Sequence, residues 1–241
     1  MASPLHQFEI TPLIPLHIGG VDVSFTNSSL LMVLAVAAVA IFFIRGMSGR
    51  ALVPGRWQSI AELTYDFVGG MIRENVGHEG RKYFPFVLTL FSFILFGNLL
   101  GLLPYSFTFT SHIVVTFALA ITVFIGVTIV GIVLHGAHFF TLFVPSGVPK
   151  VMIPFLVPIE LISYLSRPIS LSIRLFANMM AGHTMMKVFA GFIIPLGFLG
   201  GWAPLAVDVA LTGFEFVVAF LQAYVFTLLT CLYLHDAVHL H

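Results

Sequence analysis

Between Ser163 and Lys187 the chain reads SYLSRPISLSIRLFANMMAGHTMMK, an apolar run that carries Arg167, Arg174, Asn178 and His183. Ionisable groups inside apolar helices are costly, so each is by default a candidate for function. At 100° per residue, Glu160, Arg167, Ser170, Arg174, Asn178 and Ala181 form one polar stripe of a continuous helix, flanked by the small side chains of Ala177 and Ala181. His183 lies about 180° around from Arg174. A second stripe, Asp208, Glu215 and Gln222, is spaced by sevens and drifts only about 20° per step. Thr212 and Ala219 lie between its members, and Tyr224, Thr227 and Thr230 add polar groups toward the C-terminus.

These residue types divide the chemistry. Carboxylates and imidazoles exchange protons, whereas amides and hydroxyls orient water without holding charge. Arginine stays protonated in a protein and cannot relay a proton. Arg174 therefore suits a barrier and an electrostatic lure, whose field drives a nearby carboxylic acid to ionise. Two such helices side by side would make a path for protons. A plainer reading pairs Arg174 with Glu215 or Asp208 merely to hold the helices together. It makes Gln222 and Asn178 interhelical hydrogen bonds, and Asp208 a charge favoured by the helix N-terminus.

The elements that must position these residues are helices in a membrane. Of 241 residues, 59% are hydrophobic and 8% charged, with a mean hydropathy of +1.07; soluble domains carry about 25% charged residues. In lipid every backbone group must be satisfied internally, and without a long alternating pattern that requirement points to helices. The formal net charge of zero argues against a nucleic-acid partner. The single cysteine, Cys231, excludes an internal disulfide and reads as a packed apolar residue. No cleavable leader is expected, because the first 26 residues lack a basic region and contain Pro4, Pro12 and Pro15.

The expected organisation is a single membrane domain over residues 1–241. An external segment (1–27) precedes a span at 28–46, then an amphipathic surface helix at 58–76 in which Ile60, Leu63, Phe67, Val68, Met71 and Ile72 recur at helical spacing; packing of this helix on protein is the alternative. Spans at 85–103 and 112–134 follow, separated by a turn at Pro104 and the polar 106–111 stretch. Residues 135–158, with Pro145, Gly147, Pro149, Pro154 and Pro158, are expected to break regular structure. Two long helices, 159–194 and 204–235, end the chain, joined by Gly197, Gly200 and Gly201. Each is roughly 40–50 Å long, longer than the roughly 30 Å hydrocarbon core, which implies strong tilt or a kink at Pro168. No Lys or Arg precedes the first span, whereas Arg45, Arg50, Arg56, Arg73, Arg81 and Lys82 follow it. That bias puts the N-terminus outside.

Other classes fit less well. No histidines pair at mid-membrane as a haem would need. His135 and His138 lack a third metal ligand nearby. The polar content is concentrated in the last third, without the internal repeats of a secondary transporter. A scaffold would not need Arg174, His183 and Glu215 together, and the chain has no phosphate loop.

At these residues the chain resembles a known family. The run from Ser170 to His183, SLSIRLFANMMAGH, closely resembles the signature of subunit a of the F-type ATP synthase, in the mitochondrial and α-proteobacterial form. The resemblance extends to Phe214–Tyr224 (FEFVVAFLQAY), to Gly97–Pro104 (GNLLGLLP), and in effect to residues 25–241. It implies an all-α polytopic protein of about five membrane helices plus a surface helix, the last two tilted as a hairpin against a partner ring. It implies a stationary, non-catalytic subunit that conducts protons through two offset half-channels to and from a c-ring carboxylate. Arg174 corresponds to the essential arginine facing that carboxylate. His183 and Glu215 hold an interacting pair found in reverse order in many bacterial members. Asn178 and Gln222 match polar positions near the arginine, and Glu160 an acidic position on the inner half-channel, with Ser170 beside it. Gly101 and Ser106 stand where some bacterial members carry aspartates, which leaves His112 or Asp208 for the outer entrance. The implied partners are the c-ring, peripheral-stalk subunit b, other ATP synthase subunits and lipid, with no cofactor or metal. The implied location is the bacterial inner membrane or the mitochondrial inner membrane.

Overall fold

A computed structural model describes residues 9–15, 17–18, 21–22, 24–48, 53–103, 106–144 and 152–239. Pro4, Arg50, Pro104, Pro145, Gly147 and Pro149, each used above, lie outside these residues. Four short strands precede the helices. β1 (Pro12–Ile14) pairs antiparallel with β4 (Phe25–Thr26), and β2 (His17–Ile18) with β3 (Val21–Asp22). These strands are too short to carry an alternating signal, and the sequence did not announce them. They lead into α1 (Asn27–Met47), where the Thr26 side chain caps the helix by accepting from the Ser29 amide at 3.3 Å.

α2 (Arg56–Asn75) follows, then α3 (Phe84–Gly101), α4 (Ile113–His135), α5 (Ile153–Ile193), a single turn α6 (Gly197–Gly200) and α7 (Trp202–Val238). Among the described residues five helical segments, those containing α1, α3, α4, α5 and α7, are long and apolar enough to cross a membrane. α2 is not among them. Its Val68, Met71 and Ile72 are buried against α3 and α7, while Trp57, Ile60 and Leu63 are exposed.

The start of α5 corrects an expectation. The helix begins at Ile153 and passes through Pro158 and Pro168, so residues 153–158 are helical and not a break, and 136–143 form a 3-10 segment. Pro154 falls in the first turn, where a missing N–H costs nothing. Pro158 and Pro168 each forgo one hydrogen bond, and the rest of a 41-residue helix holds through them. At 1.5 Å per residue α5 is about 60 Å long and α7 about 55 Å.

α5 and α7 run antiparallel as a hairpin. Polar rungs join them from the connecting turn outward: the Thr212 hydroxyl to Met186 Sδ at 3.5 Å, His183 to Glu215, Gln222 Nε2 to the Arg174 carbonyl at 3.3 Å, and Arg167 to Asp236 at 3.0 Å. α3 packs on α7, where Asn98 Nδ2 donates to the Ala219 carbonyl at 3.3 Å. α4 packs on α5, where the Thr128 and Tyr164 hydroxyls share a 2.6 Å hydrogen bond. In a low-dielectric interior such bonds fix which faces of these helices meet.

Candidate functional site

The buried polar centre lies where α5 and α7 meet the 101–111 connection. His183 is 6% exposed and Glu215 is 3% exposed. His183 Nδ1 and Glu215 Oε1 are hydrogen-bonded to each other. His183 Nε2 lies 2.9 Å from the Gly101 carbonyl oxygen. A carbonyl can only accept, so Nε2 carries a proton and donates it there. The Thr108 hydroxyl, 2.7 Å from the same nitrogen, donates in turn to the Gly101 carbonyl at 3.2 Å. With Nε2–H fixed by its acceptors, one further proton sits between imidazole and carboxylate. That shared proton holds the pair together: a further proton can add at Glu215 Oε2 with the hydrogen bond kept, whereas loss of the shared one leaves two acceptors facing each other.

Two glycines make room for this. A Cβ on Gly182 would lie 2.7 Å from Glu215 Oε1 and 3.0 Å from its carboxyl carbon. A Cβ on Gly101 would lie 2.7 Å from the Thr108 side chain. An aspartate at position 101 would displace Thr108. In this chain the 101–108 segment instead serves the site through a carbonyl and a hydroxyl. The Ser106 hydroxyl also donates to the Leu100 and Gly101 carbonyls, at 2.6 and 3.0 Å.

Glu215 has a second oxygen, Oε2, which is buried without a hydrogen-bond partner. Beside it a cavity of about 290 Å³ is lined by Asn178, Ala181, Gly182, Met185, Leu211, Phe214, Glu215 and Val218. It has room for water, and a buried carboxylate oxygen is what water would satisfy. The cavity reaches the exposed face of α5 that carries Ser170, Arg174, Ala177, Asn178 and Ala181.

Arg174 is exposed on that face, and among the described residues its side chain pairs with neither Glu215 nor Asp208. The plainer reading, an arginine that staples the two helices, belongs instead to Arg167. Arg167 leaves the shared stripe to pair with Asp236, its guanidinium 5.3 Å from the Tyr164 ring centre and 5.0 Å from that of Tyr233. Gln222 does serve as an interhelical hydrogen bond, to the backbone of Arg174.

Asp208 is not an N-terminal charge, because α7 starts at Trp202 and carries no acid in its first turn. Its Oδ1 is buried and unpartnered, two helical turns from Glu215. Glu160 is half-buried on α5 and is not drawn into the His183 cluster. His112, at the start of α4, stacks on Phe107 at 5.0 Å with its Nε2 buried and unpartnered. Burial pushes its pKa below the usual histidine value.

Sequence reasoning missed Thr108 and Asp236. Thr108 was hidden in a stretch read only as a turn. Asp236 had a signal: a carboxylate in the last turn of a helix opposes the helix dipole and calls for a cation.

Fold and site together define an integral membrane protein with, among the described residues, five long apolar helices and an imidazole–carboxylate pair enclosed between the last two. Residues 29–235 match the family described as ATP synthase A chain, and the chain belongs to that family. It is 61% identical over 241 residues to ATP synthase subunit a of Rhodospirillum rubrum, covering all of both chains. It is 60% identical to that of Parvibaculum lavamentivorans, over 98% of this chain and 94% of the relative. It is 55% identical to that of Pelagibacter ubique, over 99% and 98%.

Proposed function

We propose that the chain is the stationary proton-conducting subunit of an ATP synthase membrane sector. It passes protons through two offset half-channels to and from a carboxylate on a rotating c-ring. The observation that carries this reading is a buried His183–Glu215 pair that opens, through a cavity lined by Asn178, onto the exposed face bearing Arg174, which forms no ion pair among the described residues. An uncompensated arginine on an apolar helix face is costly unless something acidic meets it.

In the mechanism, protons enter from outside by way of Asp208, His183 and Glu215. They neutralise a ring carboxylate, which can then turn into lipid. After nearly a full rotation the carboxylate releases its proton along the inner path at Glu160 and Ser170. Arg174 holds the ionised site and blocks direct leakage, since it cannot itself pass a proton. Gln222 positions the backbone from which Arg174 projects. The drive is the transmembrane potential, about 2.3 kcal/mol per charge per 100 mV. Helices of about 60 and 55 Å tilted across the membrane would present this face to the ring over a long arc. The positive-inside bias supports an external N-terminus. The c-ring, subunit b and the other ATP synthase subunits are the partners of this reading. Nucleotide chemistry belongs to other subunits of the complex.

The test is Arg174→Ala in the complex reconstituted in proteoliposomes, with ATP-driven proton pumping and passive leak recorded. The expected result is lost pumping in an assembled complex, with leak unchanged or raised. Normal pumping by a fully assembled variant would make Arg174 structural and sink the mechanism.

A further inference from the structure

Where α2 turns back toward α3, a cavity of about 430 Å³ opens at the protein surface, distinct from the His183 site. Its apolar wall includes Tyr65, Ile72 and Phe84, with the Tyr65 and Phe84 rings 4.4 Å apart and tilted at 53°. Its polar side carries the guanidinium groups of Arg73 and Arg81 and the His78 imidazole. Gly77, at φ +82°, makes the reversal that folds residues 78–85 back beside the last turns of α2. That backbone is strained for any residue with a side chain.

Both arginines are exposed, and among the described residues neither forms a hydrogen bond or an ion pair. The acids adjacent in sequence, Glu74 and Glu79, do not line the cavity. The level in the membrane is set by two neighbours. Phe84 and Pro85 open the apolar length of the span containing α3. Trp57, at 69% exposed, and Leu63, at 70%, leave large apolar side chains uncovered on α2 beside the exposed Glu62 and Asp66, the mixed surface of an interfacial helix. The cavity therefore sits where hydrocarbon meets water.

We infer that this cavity binds the phosphate headgroup of an anionic phospholipid. Arg73 and Arg81 hold the phosphate oxygens, and Tyr65, Ile72 and Phe84 receive the glycerol and the first acyl carbons. Guanidinium groups bind phosphate by paired, charge-assisted hydrogen bonds, and basic pockets at a membrane surface suit such headgroups. Arginines kept only to orient the chain would need neither a cavity nor an aromatic wall. The inference goes beyond the proposed proton path and depends only on the chain lying in a membrane.

The experiment uses the native complex in nanodiscs of phosphatidylcholine, with or without phosphatidylglycerol. Retained lipid is read by native mass spectrometry, and contact by a photoactivatable phosphatidylglycerol. The expected result is retention of phosphatidylglycerol, crosslinks on peptides containing Tyr65 or Phe84, and none from the phosphatidylcholine analogue. Arg73→Gln with Arg81→Gln should weaken retention by about tenfold or more. Inorganic phosphate added to phosphatidylcholine nanodiscs separates the two sources: if it alone protects the cavity from arginine-directed labelling and no phosphatidylglycerol is retained, the lipid assignment is overturned. Crosslinks to another subunit at these peptides in place of lipid overturn it as well, as does equal crosslinking by both lipids. The crosslinking arm is read on the wild-type complex, so a variant that fails to assemble leaves the inference decidable.

Discussion

The hairpin of α5 and α7 carries two pairs of opposite charge, and they are built for different work. His183–Glu215 is almost fully enclosed, with side chains 7% and 3% exposed. It lies beside a cavity, with a carboxylate oxygen left over. Arg167–Asp236 is 21% and 37% exposed, has no titratable imidazole, and is clasped between two tyrosine rings. The first pair joins two titratable groups beside a cavity with room for water. In the second only the carboxylate can titrate, because its cation never deprotonates. A buried pair is weak evidence for stability, since desolvation offsets much of the attraction. The proton path proposed above gives it a use beyond stability. The exposed pair aligns the far end of the same two helices.

The largest expected effect therefore falls on Glu215. Glu215→Gln keeps the shape and a hydrogen bond but removes the exchangeable carboxylate. Proton pumping should fall by about 10²-fold or more while the complex still assembles. Pumping near the wild-type level would reduce the pair to a structural contact. A sharper form exchanges the partners: His183→Glu with Glu215→His keeps one acceptor of each kind and should recover more pumping than either single change.

Next comes Gly182→Ala. The new Cβ would stand 2.7 Å from Glu215 Oε1. It must push the carboxylate off His183, at a cost of about 1–3 kcal/mol. Pumping should drop by about tenfold without loss of Arg174 function, and Glu215→Asp, one carbon shorter, should partly rescue it. No rescue would mean that Gly182 matters for helix approach and not for the carboxylate.

At the other pair the effect should appear in stability and leave transport within about twofold. Arg167→Gln breaks a partly exposed ion pair worth about 0–1 kcal/mol and two cation–π contacts worth about 0.5–1 kcal/mol each. The melting temperature of the complex should fall by a few degrees. A double cycle with Asp236→Asn should show coupling below about 1 kcal/mol. If Arg167→Gln abolished pumping in an assembled complex, the contrast between the two pairs would collapse.

How legible these pairs were differs in the same way. His183 and Glu215 stood out because ionisable residues in apolar helices are rare, and their family pattern is specific. The helices themselves were visible in hydropathy. What the stripe on α5 could not tell was that Arg167 and Arg174, seven residues apart on one face, part company. Arg167 finds Asp236 and Tyr233 far away in sequence, with Tyr164 one turn back on its own helix, and Arg174 finds no such partner among the described residues. The backbone carbonyl of Gly101 and the Thr108 hydroxyl were invisible because neither side-chain type nor periodicity marks a segment that serves by its backbone. The proline rule misjudged residues 153–158 because Pro154 falls in the first turn, where proline is allowed, and the long helix holds through Pro158 at the loss of one hydrogen bond.

The smallest effect concerns His112, which lies at the edge of the cluster without joining it. Burial lowers its pKa from 6.5, so the unfolded chain binds a proton more readily than the folded one. Stability then rises with pH through this range. The cost is absent well above pH 6.5, grows as pH falls through that value, and is complete once the folded pKa is passed. His112→Phe keeps the stack on Phe107 and removes both the titration and the buried, unpartnered Nε2. The variant should match the wild type near pH 8 to within a few degrees. It should become relatively more heat-stable as the pH is lowered toward 5, with pumping retained at neutral pH. Lost pumping at pH 7.5 in an assembled complex would move His112 from the edge of the site onto the proton path itself, and the outer entrance would then be assigned to it in place of Asp208.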